Sequence, residues 1–144
     1  AAISWIQGMS IANAGIVTKP MQPSFLVNGS PSKNGSNYVH SFGNIKHNIG
    51  SNYVNSTGRF TAPVAGRYLF NAGIWAQAGA NAYMQIQVNQ GGDWAGVHVG
   101  NSIHNSGTIS VVHNLAANDY VSIMCEYAIQ GSTPRNNFSG ILIG

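Results

Sequence analysis

Gly58-Arg59-Phe60-Thr61-Ala62-Pro63-Val64-Ala65-Gly66-Arg67-Tyr68-Leu69-Phe70 reads as two strands hinged at a Pro-Gly corner. Tyr68 and Phe70 alternate with Arg67 and Leu69. Side chains two apart on a strand share a face, so both rings enter one core. Pro63 cannot donate to a ladder and Gly66 tolerates backbone angles other residues avoid, so the corner is encoded locally.

The same grammar extends in both directions. Short alternating segments separated by Gly, Asn, Ser and Pro dominate, and helical periodicity is absent, which predicts an all-β sandwich or barrel. Ile3–Ile6 and Ile16-Val17 form an irregular leader over 1–23, read as a stalk junction. The body runs over 24–144. Ser24–Val27 is its first strand, Phe42–Ile49 can pair, and Asn28–Ser36 is a polar loop. Met84, Ile86 and Val88 alternate with Tyr83, Gln85 and Gln87 as a half-buried strand. Thr108–Leu115 and Tyr120–Tyr127 form a hairpin around Ala116–Asp119, and Phe138–Ile143 closes the chain. About ten strands result.

With 144 residues the chain is one domain, and its 44% hydrophobic content argues against disorder. Only 6% of residues are charged, so solubility rests on Asn, Ser, Gln and Thr. The net charge of +3 reflects a shortage of acids, not a basic patch. Lys19, Lys33, Lys46, Arg59, Arg67 and Arg135 are dispersed, so no nucleic-acid partner is expected. No apolar run reaches membrane-spanning length, so no membrane insertion is expected. Cys125 is the single cysteine and reads as a buried thiol in an apolar strand.

These segments resemble the globular head of the C1q and tumour necrosis factor superfamily. The resemblance rests on Phe42, Asn44, Asn52-Tyr53, Thr57-Gly58, Phe60, Pro63, Gly66, Tyr68 and Phe70. Asn118-Asp119-Tyr120-Val121 and Phe138-Ser139-Gly140-Ile141-Leu142 extend it, and it covers Ser24 to Ile143. Asn118 stands where the family has Gly, and Val54 where it has Asp. The resemblance implies an antiparallel jelly-roll β-sandwich of about ten strands, assembled as a homotrimer. The low charge and the Lys19–Phe25 entry are similar to C1q-like modules at the tips of bacteriophage tail fibres.

No nucleophile, base and acid assemble in the sequence. Asp93, Asp119 and Glu126 are the only acids. Asp119 reads as a turn residue, and Glu126 as one partner of a cross-strand or inter-subunit pair with an Arg. No enzyme activity, cofactor or metal is expected. His98, His104 and His113 lack metal-type neighbours, although threefold symmetry would allow an axial site. The fold that the resemblance implies has both termini at the base, and three connections then fall at the apex: 77–81, 100–107 and 128–136. Their polar residues Gln77, Asn81, His104, Asn105, Gln130, Arg135 and Asn136 are the candidate ligand-binding set. Trp75, Tyr83, Trp94 and Tyr127 offer aromatic platforms for a sugar, or core and interface packing.

The leading expectation is a trimeric receptor-binding tip of a tail fibre on a virion, attaching to a host surface glycan or outer-membrane protein. A module that only trimerises and caps a fibre is the structural alternative. A secreted, extracellular animal-type pattern-recognition or adhesive protein is the other.

Overall fold

The computed structural model describes residues 9–15, 17–76, 82–99, 105–126, 128–130 and 135–144, and these contain strands but no helix. In chain order the strands are β1 (Ser10–Ile11), β2 (Val17–Thr18), β3 (Ser24–Gly29), β4 (Ser32–Lys33), β5 (Val39–His40), β6 (Asn44–Ile49) and β7 (Tyr53–Val54). There follow β8 (Arg59–Thr61), β9 (Gly66–Ala76), β10 (Ala82–Val88), β11 (Trp94–Val99), β12 (Asn105–Leu115), β13 (Tyr120–Cys125) and β14 (Asn136–Leu142). One five-stranded sheet has the order β12-β9-β14-β3-β6, and the other has β11-β10-β13-β8-β7. The jelly roll expected from the sequence is therefore present. Two further ribbons, β1-β2 and β4-β5, lie outside it.

The Pro63 corner carries the chain from β8 in one layer to β9 in the other. Tyr68 seals it, its hydroxyl donating to the Val64 carbonyl at 2.8 Å. Gly66 plays a different part from the one expected. Its φ is not positive. A Cβ there would instead meet Leu142 Cδ1 at 2.8 Å and the Gly144 carbonyl oxygen at 3.0 Å. Close approach of the last strand, rather than an unusual backbone angle, is what demands glycine.

Alternation aims Phe25, Tyr68, Phe70 and Phe138 inward from one sheet, and Tyr53 and Phe60 from the other. Phe25 stacks on Tyr53 at 4.6 Å and meets Phe138 edge-on at 4.9 Å, while Phe60 meets Phe70 edge-on at 5.7 Å. Each such pair contributes about 0.5–1.5 kcal/mol beyond its buried area. Cys125 is buried in this core, as expected. Asn118, in the turn between β12 and β13, has φ 73°. That is a conformation Asn tolerates nearly as well as the Gly it replaces.

The registers set the two ends apart. Asn105 pairs with Ala76, Asn136 with Gly29, and Ala82 with Val99. The strand ends leading into 77–81, 100–104 and 126–135 therefore share one end. Ser24, paired with Ile141, marks the other.

Candidate functional site

At the apex, Asn136 organises what is described. Its Oδ1 accepts the Trp75 N–H at 2.7 Å, and its Nδ2 donates to the Gly29 carbonyl at 3.2 Å and the Gln130 carbonyl at 2.9 Å. The side chain is fully buried. Sequence reasoning placed it among exposed loop residues; it is instead a pin between β14, β9 and the loop, because three backbone groups at the sheet end need partners. Gln130 is half-buried, its N–H donating to the Trp75 carbonyl at 2.8 Å. Arg135 is exposed and stacks its guanidinium over the half-buried Trp75 ring, 4.2 Å from the centroid. Gln77, Asn81, His104 and Tyr127 lie outside the described residues, and Asn105 opens β12.

The acids are scattered. Asp119 accepts from Asn89 Nδ2 and from the Ala116 N–H, both at 2.8 Å. These two bonds, Asn89 first, hold its carboxyl below the usual range, as a turn residue should be. Asp93 accepts from His113 Nδ1 at 2.9 Å, which ties the edge strand β12 to the β10–β11 turn. The cross-strand pair expected of Glu126 is not formed among the described residues. Glu126 lies just past β13, exposed, with only its N–H engaged by the Tyr83 carbonyl. Among those residues no three metal-ligating groups converge.

The outward faces of the two sheets differ. Across the first sheet, Ile49, Ser24, Ile141, Leu69 and Val112 line up in one row of cross-strand partners. Val112 and Ile141 are exposed. The next row is His47, Leu26, Ser139, Asn71 and Ser110, and its first four residues line a shallow depression of about 300 Å³ together with Ser24, Ile141 and Leu69. Farther toward the apex the partners become Asn44, Asn28, Asn137, Gly73 and Thr108.

The second sheet presents Tyr83, Gln85, Gln87 and Trp94 outward. Tyr38, reaching over from the β4-β5 ribbon, donates its hydroxyl to Gln87 Oε1 at 2.7 Å. Desolvation raises the Tyr38 pKa, with Tyr120 adding to the rise and Arg59 opposing it. Sequence reading missed Tyr38. The signal was the Asn34-Gly35 dipeptide, a hairpin marker. Asn34 Oδ1 accepts the N–H groups of Ser36 and Tyr38, both at 3.0 Å, and so folds the ribbon back.

Comparison with known proteins agrees with this geometry. The C1q domain matches residues 24–143, so the chain belongs to the C1q domain family. The globular domain of zebrafish complement 1qA is similar in fold, with a TM-score of 0.65 and 21% identity over 85% of this chain and 98% of that one. Murine APRIL is similar with a TM-score of 0.64 and 12% identity, covering 85% of this chain and 99% of that one. Among curated proteins nothing matches.

Proposed function

We propose, with membership of the C1q domain family as the premise, that this chain is a non-enzymatic recognition head that works as a homotrimer. The observation that carries the assembly is the row Ile141, Leu69 and Val112 on the open face of the first sheet. Contiguous apolar surface of this kind, free of carboxylates and flanked by amides and hydroxyls, fits burial against another copy better than exposure to water. Residues 1–23 then lead from a stalk into the base, and the apical loops face away from it. Gln77, Asn81, His104, Asn105, Gln130 and Arg135 supply the contact surface there. The setting proposed is the tip of a phage tail fibre, and the ligand a host surface glycan or outer-membrane protein. Three identical apices on a fibre convert weak single contacts into roughly 10²–10⁴-fold avidity.

Sedimentation of the isolated protein tests assembly: a trimer is expected, and Leu69→Asp should yield monomers. Adsorption to host cells tests recognition, which should fail when the apical loops are exchanged. A stable monomeric wild type refutes the first part, and unchanged adsorption refutes the second. One observation favours the structural rival, a module that only registers and caps a fibre. Asn136 and Trp75 are both occupied by internal partners. Under that reading loop exchange leaves host range intact while deletion of 24–144 abolishes assembly.

A further inference from the structure

Strands β10 and β11 contain no Lys, Arg, Asp or Glu. In their register Trp94 stands opposite Gln87, and Gly96 opposite Gln85, on the outward face of the second sheet. The Trp94 indole runs along the strand past Gly96. A Cβ at position 96 would lie 3.0 Å from its Cζ3 and 3.1 Å from Gln85 Cγ. Glycine therefore lets the ring and the Gln85 stem settle side by side over bare backbone. Trp94 is 52% exposed, and Tyr83, on the same face beyond Gln85, is 39% exposed.

A lone exposed aromatic carries little meaning. The polar groups beside this one are ordered. Tyr38 donates to Gln87 Oε1 at 2.7 Å, and Gln87 Nε2 donates to Gln85 Oε1 at 2.5 Å. This one-way relay leaves the NH2 of Gln85 as its donor end, without a partner among the described residues. An exposed indole thus adjoins a polarised amide donor on strands free of formal charge.

We infer that the Trp94–Gln85 strip is a lateral binding site for an uncharged sugar ring. The C–H face of a pyranose lies on the indole, a ring hydroxyl accepts from Gln85 Nε2, and Tyr83 flanks the far side. Neither strand offers a Lys or Arg to a uronic, sialylated or sulfated sugar, the one basic residue being His98, paired with Tyr83, so the site favours neutral saccharides. It lies on the opposite layer from the apolar row of the first sheet. This inference deepens the recognition reading and rests on it, while locating sugar contact away from the apical loops.

The test is titration of the ¹⁵N-labelled protein with neutral saccharides (glucose, galactose, N-acetylglucosamine, maltose, cellobiose and lactose), with galacturonate as the charged control. Saturable shifts of the Trp94 indole N–H and the Gln85 side-chain amide are expected with at least one neutral sugar. Trp94→Ala should weaken that binding about tenfold or more. Gln85→Leu should weaken it less, and Arg135→Ala should leave it unchanged. Unfolding midpoints of all three variants confirm that they fold. The site is overturned if no neutral sugar shifts these signals, if galacturonate alone does, or if Trp94→Ala binds undiminished. Assemblies larger than a trimer that Trp94→Ala dissolves would assign the strip to a second copy and also overturn it. Binding lost in Arg135→Ala but kept in Trp94→Ala moves sugar contact to the apex, refuting this site while the recognition reading stands.

Discussion

Gly140 pairs with Phe25 on one side and Phe70 on the other, between two buried rings of the first sheet. Adding a single methyl group there, Gly140→Ala, is the sharpest probe of the core. The new Cβ would lie 2.6 Å from Phe70 Cδ1 and Cε1 and 2.7 Å from Phe25 Cε1, about 0.7–0.8 Å inside ordinary contact. Neither ring can give way. Both are buried, with Phe25 held between Tyr53 and Phe138 and Phe70 held against Phe60. Overpacking costs about 1–3 kcal/mol in general, and three simultaneous overlaps with locked rings belong at the upper end, about 3 kcal/mol.

For a domain of this size each kcal/mol moves the unfolding temperature by roughly 2–4 °C, so Gly140→Ala should fall by about 6–12 °C. Calorimetry at fixed protomer concentration measures this, since unfolding of an oligomer depends on concentration. Gly35→Ala serves as the control, because nothing lies within 4 Å of its Cβ. Shrinking the neighbour should restore space. Phe70→Leu combined with Gly140→Ala should be less destabilised than the two single changes added, by about 1 kcal/mol or more. A Gly140→Ala protein that unfolds within about 1 °C of wild type would refute the jigsaw packing claimed for this layer.

Three further outcomes follow from buried or turn-bound polar groups. Asn136→Ala removes the partner of the Trp75 N–H and of two carbonyls, and should cost about 2–4 kcal/mol in urea unfolding with faster exchange of the Trp75 amide. Tyr53 is buried with its hydroxyl unpartnered among the described residues, and burial pushes its pKa up. Tyr53→Phe should therefore stabilise by about 1 kcal/mol. It should also weaken the loss of stability above the ordinary tyrosine pKa, where the unfolded state releases this proton before the folded state does. The Asp119 carboxyl is held below its ordinary value. Its contribution is present above the unfolded pKa and is lost as pH falls through the lower folded pKa, so Asp119→Asn should flatten that acid limb of a stability-pH curve.

Strand content was legible because alternation is local: Tyr68 and Phe70, two residues apart, declare their shared face. The Asp119 turn was legible for the same reason, since its partner Ala116 lies three positions away. Asn136 was misread because its burial comes from Gly29, 107 residues distant, and polar composition alone pointed to solvent. Gly66 was misread because the atoms that exclude a side chain there belong to Leu142 and Gly144. Tyr38 was hidden for a related reason. Its acceptor Gln87 lies 49 residues away, on a strand whose own pattern says nothing about what covers it. Periodicity records which face a residue takes, whereas a site depends on which faces meet.

The two outward faces follow from one chemical asymmetry in the strands. On β14, β9 and β12 the outward series brings together Ile141, Leu69 and Val112, which water does not reward. On β10 and β11 the corresponding positions hold Gln85, Gln87 and Trp94, where amides and a ring with a polar edge remain compatible with solvent and with sugars. A charge swapped onto the first face, as in Leu69→Asp, should therefore dissociate the proposed trimer without disturbing the Trp94 indole environment. A change on the second, as in Trp94→Ala, should leave sedimentation untouched. Covariation of the two readouts would mean that a single interface spans both layers, and the division of labour between the sheets would fall.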